Sequence, residues 1–144
     1  MLPNDDGRCT LLEHASDVGL QATGPDRRVA LAAASRGLTG LMVDPATVEE
    51  RVERRLRAEG FDEAAQIVAW LNEVLFLFDT EGLLLSRFEI TRWDDTTVEG
   101  TAVGEPFDPP RHELRTGVKA ATYHQLASGP DGTGGWEIRV FLDL

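Results

Sequence analysis

The stretch Leu83-Leu-Leu-Ser-Arg-Phe-Glu-Ile-Thr-Arg-Trp93, followed after Asp94-Asp95 by Thr96-Thr-Val-Glu-Gly-Thr-Ala-Val-Gly104, decides the fold. Both halves are rich in apolar, β-branched and aromatic residues, and only a short polar step parts them. They read as a hairpin. So short a connection joins antiparallel neighbours, because a parallel crossover takes a dozen residues or more.

Downstream of the hairpin, Glu105 to Thr116 reads as a proline-bearing loop and Gly117 to Ala127 as a strand. Ser128 to Gly135 is a glycine-rich turn. The last segment, Trp136 to Leu144, alternates Trp136, Ile138, Val140 and Leu142 with Glu137, Arg139, Phe141 and Asp143, the pattern of a half-buried strand.

Upstream, Asp79 to Gly82 reads as a turn. Before it, Ala64 to Phe78 carries apolar residues on nearly every face, which predicts a buried helix capped by Asp62. Val48 to Ala58 is ambiguous: Val48, Val52 and Leu56 suit a helix, and the same residues with Ala58 share the parity of a strand. Arg27 to Met42 predicts a helix, with Leu31, Ala34, Leu38 and Leu41 at core spacing, Asp26 as its cap and Asp44-Pro45 as its stop. Gly37 and Gly40 would let another element pack closely on it. Cys9 to Glu13 and Val18 to Thr23 read as short strands, and residues 1–8 as a loose polar leader. The whole, residues 1–144, reads as a single α+β domain with two helices on an antiparallel or mixed sheet.

Composition narrows the function. Forty-two per cent of residues are hydrophobic and 27% charged, as in an ordinary folded protein. The formal charge of −11 disfavours direct binding to nucleic acid and favours a basic partner or cations. One cysteine, Cys9, allows neither an internal disulfide nor a thiolate zinc cluster, and as a lone cysteine on an apolar strand it reads as a small core residue. The longest apolar run, Ile67 to Phe78, is too short to span a bilayer and the start lacks an apolar signal core, so a cytoplasmic protein without membrane association is expected.

The chain has no P-loop, GxGxxG, GxSxG or HExxH pattern, and His14, His112 and His124 lack zinc-ligand spacing. Without a self-sufficient catalytic set, it is expected not to be an enzyme. Some polar residues nevertheless stand where a structural role is not obvious. Asp17, directly before a strand, reads from composition as a turn carboxylate. Asp143, beside Leu144, reads as a solvated end, yet the strand pattern runs up to Leu142 and an ordered end would gather several oxygens. Such oxygens suit calcium or magnesium, and Asp17 could complete the set if first and last strands were neighbours. Asn72 and Glu73 interrupt the apolar helix, with Glu73 either on an exposed stripe or facing a cleft. Lys119, Thr122, Tyr123 and His124 put polar groups on both faces of one strand, which suggests a site or an interface.

At these residues the sequence resembles the archease family. The likeness lies in Glu13-His14-Ala15-Ser16-Asp17-Val18-Gly19, Trp70-Leu71-Asn72-Glu73-Val74-Leu75, Gly104-Glu105, Val118-Lys119-Ala120-Ala121-Thr122-Tyr123-His124 and Asp143-Leu144. These occur in the family's order from about residue 10 onward. The more usual first string is Asp-His-Thr-Ala-Asp, from which Glu13 departs by one methylene.

The resemblance implies an accessory protein of an RtcB-type RNA ligase, which joins RNA ends in tRNA splicing and RNA repair. It would promote guanylylation of the ligase, support multiple turnover and broaden nucleotide use. It also implies a divalent-metal site at Asp17, Asp143 and the backbone carbonyl of Leu144. Calcium is the first expectation there, with magnesium or manganese as alternatives. Glu73, Lys119 and His124 are candidates for supporting that site or touching the ligase. The family also has a strand at residues 48–58, which resolves the ambiguity there toward a strand. A chaperone-like interaction module with a structural cation is the alternative function. A stand-alone metal-dependent hydrolase would need a fuller ligand set and a matched general base.

Overall fold

The computed structural model describes residues 7–13 and 17–144, with Glu13 described by its backbone alone. The elements run β1 (Arg8–Glu13), β2 (Asp17–Gly24), α1 (Arg27–Met42), a short 3-10 turn (Pro45–Thr47), β3 (Val52–Glu59), α2 (Glu63–Glu81), β4 (Leu83–Trp93), β5 (Thr97–Pro106), β6 (Ala120–Pro130) and β7 (Trp136–Asp143). The strands form two sheets, β1-β2-β7-β6 and β3-β5-β4, and every pairing is antiparallel. The α+β class holds, with two separate sheets where one was expected. Each helix touches both sheets, α1 chiefly at β2 and β4, α2 chiefly at β6 and β3. One hydrophobic cluster draws on both helices and both sheets.

The helix signals act as read. The Asp26 carboxylate accepts the Val29 N–H at 3.0 Å, and the Asp62 carboxylate that of Ala65 at 2.8 Å, each satisfying a donor of the first turn. Leu31, Ala34, Leu38 and Leu41 are buried. At Gly37 a side chain would collide with Cys9 of β1, so the glycine sets how closely that strand approaches α1. The two helices are tied by Trp70 Nε1, which donates to Ser35 Oγ at 2.8 Å.

Several boundaries differ from expectation. Asp79, Thr80 and Glu81 are helical, not a turn: Thr80 Oγ donates to the Phe76 carbonyl, and Glu81 accepts two hydrogen bonds from Arg54 on β3. The stop is Gly82 alone, at φ 64°, whose N–H closes onto the Leu77 and Phe78 carbonyls. In the 48–58 stretch only Val52 onward is strand. Leu56 and Ala58 face the core opposite Gly100 and Val98, while Val48 packs outside the strand with Val43 and Leu84. The leader expected over residues 1–8 overlaps β1 at Arg8, which pairs with Thr23; residues 1–6 lie outside the described ones. Gly104 lies so close to Leu84 that any side chain would meet its carbonyl.

Strand β6 is the largest surprise. It begins at Ala120 and extends to Pro130, and its register with β7 breaks between Thr122↔Phe141 and Ala127↔Arg139. Residues 123–126 bulge out, with Gln125 at φ 52°. The polar groups expected on both faces of a regular strand are thus partly those of a bulge. Among the described residues no helix is long and apolar enough to cross a membrane.

Candidate functional site

The pairing of β2 with β7 places Val18 opposite Leu142 and Leu20 opposite Val140, all buried. The intervening pairs, Gly19↔Phe141 and Gln21↔Arg139, lie on the other face. Asp17↔Asp143 is the last pair of that second series. Directly opposed residues of antiparallel strands have Cβ atoms about 4.5–5.5 Å apart, so the two carboxylates stand side by side. Asp17 is half-buried and Asp143 exposed. Among the described residues neither carboxylate has a hydrogen bond or an ion pair, and no third His, Cys, Asp or Glu joins them in a metal-sized cluster. The last strand does neighbour an early one, although it is β2, which Asp17 begins, and not β1.

The row continues onto the third strand. Ala120 of β6 stands opposite Asp143, and the Lys119 N–H donates to the Asp143 carbonyl at 2.8 Å. The main chain of Asp143 is therefore held from both sides, and Leu144, 42% exposed, follows it. Two residues back along β7, Phe141 packs over Gly19, where a side chain would press on its ring. The His124 ring meets Phe141 edge-on, with centroids 6.0 Å apart. Phe141 lies about 7 Å along β7 from Asp143, and exposed His124 sits beside it.

Of the residues expected to matter, the structure gathers Asp17, Asp143, Leu144 and the backbone of Lys119 at one end of the four-stranded sheet, with His124 beside them. The Lys119 side chain is exposed and has no ion pair among the described residues. Glu73 is half-buried on α2 and its carboxylate has no hydrogen bond or ion pair among the described residues; it is its neighbour Asn72 that touches β6, with Oδ1 accepting the Ala121 N–H at 2.8 Å. His14, Ala15 and Ser16 lie outside the described residues, as does the Glu13 side chain.

A second carboxylate centre was missed from sequence. Glu105, 1% exposed, takes two hydrogen bonds from Arg111 (2.5 and 3.0 Å) and one from the Glu49 N–H (2.8 Å). His112, also buried, accepts the Asp108 N–H at Nδ1 (2.8 Å), which leaves the proton on Nε2 to be donated to Glu105 (2.9 Å). The Arg111 guanidinium, assisted by these donors, holds the Glu105 carboxyl down at about 2. Phe107 stacks on His112, and the Arg115 and Thr116 N–H groups bond the Met42 and Leu41 carbonyls at the end of α1. The cluster fastens the loop between β5 and β6 and leaves no acceptor free for chemistry. Gly104-Glu105 was its signal, but only the fold brings Arg111 and His112 back onto Glu105.

Cys9 behaves as a core residue: burial pushes its thiol up to about 11, which disfavours the reactive thiolate. The opposite end of the four-stranded sheet is closed by a continuous polar chain. Trp136 Nε1 donates to Ser128 Oγ (2.8 Å), Ser128 to Glu63 (2.5 Å), and Arg27 to the other Glu63 oxygen (2.6 Å) while lying over the Trp93 ring.

Residues 10–144 match the family model described as the archease protein family. The chain is 36% identical over 131 residues to Protein archease of Sulfurisphaera tokodaii, which covers 90% of this chain and 93% of that protein. It is 34% identical over 139 residues to Protein archease of Sulfolobus acidocaldarius, with coverage of 95% and 99%. The solution structure of Methanobacterium thermoautotrophicum protein 1598 superposes with a TM-score of 0.76 at 32% identity, covering 98% of this chain and all of that one.

Proposed function

The chain belongs to the archease family, and on that premise we propose that it is a divalent-metal-binding accessory protein that activates an RtcB-type RNA ligase. It acts by promoting GTP-dependent guanylylation and multiple turnover of the ligase in tRNA splicing and RNA repair. The observation that carries this reading is the pairing of Asp17 with Asp143 at an open sheet end, with no protein cation to balance them among the described residues.

The donor set fits a hard divalent ion. Asp17 and Asp143 contribute anionic oxygens side by side, and the Leu144 carbonyl would be a third ligand. An all-oxygen set of this kind suits calcium, magnesium or manganese and not zinc. Three ligands leave most coordination positions for water or for groups of the ligase. A bound divalent ion supplies positive charge to a phosphoryl or nucleotidyl group, a reaction class governed by positioning and charge. The protein's own residues hold the site in place: the Lys119 N–H fixes the carbonyl of Asp143, and Gly19, Phe141 and His124 pack together below the aspartates. Exposed His124 and Lys119 flank the row and are the residues proposed to touch the ligase. The charge of −11 supports contact with a basic protein surface over direct contact with RNA.

The test mixes the protein with its cognate ligase, GTP and manganese and follows ligase guanylylation. Acceleration by the wild-type protein, lost in Asp17→Ala and Asp143→Asn, is the expected result. No acceleration, or equal acceleration by the variants, overturns the reading.

A further inference from the structure

Among the described residues strand β6 is an edge strand, so the backbone groups on its outer side have no neighbouring strand to bond. At Ala121 the side-chain amide of Asn72 takes that role. Its Oδ1 accepts the Ala121 N–H at 2.8 Å, and its Nδ2 points a longer, weaker donor at the Ala121 carbonyl, 3.5 Å away. The amide is rigidly mounted, since Trp70, Leu71, Val74 and Leu75 around it on α2 are all buried. Ala121 adjoins Ala120, the cross-strand partner of Asp143, and Lys119, which bonds the Asp143 carbonyl. One residue further, Thr122 Oγ donates to the Phe141 carbonyl at 3.0 Å, and beyond it the strand bulges. Residues 119–122 thus form a short fixed rail between a bulge and a loop, and Asn72 is its only tie to α2 through hydrogen bonds among the described residues.

We propose that Asn72 is a positioning residue for the cation site: it holds the start of β6 so that Asp143 stays opposite Asp17. This rests on the reading of the aspartate pair as a metal site. It also gives a use for the polar interruption of an otherwise apolar helix. The amide acts on β6, and through β6 on Asp143.

The experiment titrates calcium into the full chain by calorimetry, with Tm in EDTA measured in parallel, for wild type, Asn72→Leu, Asp143→Asn and the double variant. Outer residues that orient metal ligands change affinity by about 10-fold to 100-fold. Asn72→Leu, which keeps side-chain bulk, is expected to weaken calcium binding about tenfold in the wild-type background and to add nothing to Asp143→Asn. Its effect on Tm in EDTA should be equal in the two backgrounds. Asn72→Asp, which retains the acceptor for the Ala121 N–H, should restore binding. Should Asn72→Leu fail to fold, amide exchange at Ala121 in the wild-type protein decides, with slowing by calcium expected. Asn72→Leu that binds calcium like wild type while Asp143→Asn is impaired overturns the role of Asn72 alone, as does exchange at Ala121 indifferent to calcium. Asp143→Asn that binds calcium like wild type overturns the site and the inference together.

Discussion

Glu105 and the pair Asp17–Asp143 are carboxylates at the ends of strands in one small fold, and they are treated in opposite ways. Glu105 is out of water and receives hydrogen bonds from Arg111, Glu49 and His112. The aspartates stand against each other near solvent, and neither carboxylate has a hydrogen bond or ion pair among the described residues. A carboxylate with every acceptor filled can stabilise but cannot take up a ligand. Two like charges directly opposite each other destabilise a sheet and remain available to a cation. The difference separates a carboxylate tied into the structure from a pair left open to a ligand, and it would be invisible in a count of acidic residues.

Four measurements can break or sharpen that contrast. The largest effect is expected at the filled carboxylate. Glu105→Ala leaves the Glu49 N–H without its acceptor, His112 Nε2 with only the Thr47 carbonyl, and the partly exposed Arg111 without its main partner, a combined loss expected at about 3 kcal/mol, read by urea unfolding. A loss below about 1 kcal/mol would show that the cluster is not the fastening it looks like. Next comes the metal: calcium at 100 times its Kd should stabilise wild type by about 2.7 kcal/mol and leave Asp17→Ala and Asp143→Asn unmoved.

Acid is the third test. The Glu105 carboxyl titrates near 2 in the fold against an ordinary 4.5, so its contribution is complete above pH 4.5 and drains away as pH falls toward 2. Glu105→Gln should flatten the stability curve in that window, and an unchanged slope would assign the acid sensitivity elsewhere. The smallest effect is expected at the unfilled pair. Without metal, Asp143→Asn should change stability by no more than about 0.5 kcal/mol, and in the stabilising direction, because it relieves a repulsion. Clear destabilisation in EDTA would mean that Asp143 has a structural partner.

Much of this architecture was legible in local signals. Asp26 and Asp62 cap the helices as read, and the Asp94-Asp95 hairpin and alternating β7 hold, because caps, turns and periodicity act over a few residues. The division of the strands into two sheets was not legible, since strand neighbours are chosen across the whole chain. The bulge at residues 123–126 escaped for a related reason: it is a mismatch with β7 and has no meaning for β6 alone. Asp79 to Glu81 misled because solvent-facing polar residues suit a helix end as well as a turn, and Gly82 held the true stop. At the candidate site, the residue types and the family resemblance pointed to Asp17, Asp143 and Leu144. Their alignment across β2 and β7 is a matter of register, and a slip of one residue would have put the carboxylates on opposite faces.

That register also has a consequence in time. Asp17 and Asp143 pair although most of the described chain lies between them, so their strands meet only after a long loop closes, a step that slows folding. Helices α1 and α2 and the β4–β5 hairpin are built from local contacts and can form earlier. A nascent or partly unfolded chain therefore has no aspartate pair to offer, and cation uptake at the proposed site would signal that the last sheet has closed. A ligase that responds to this site would respond only to helper molecules that have finished folding.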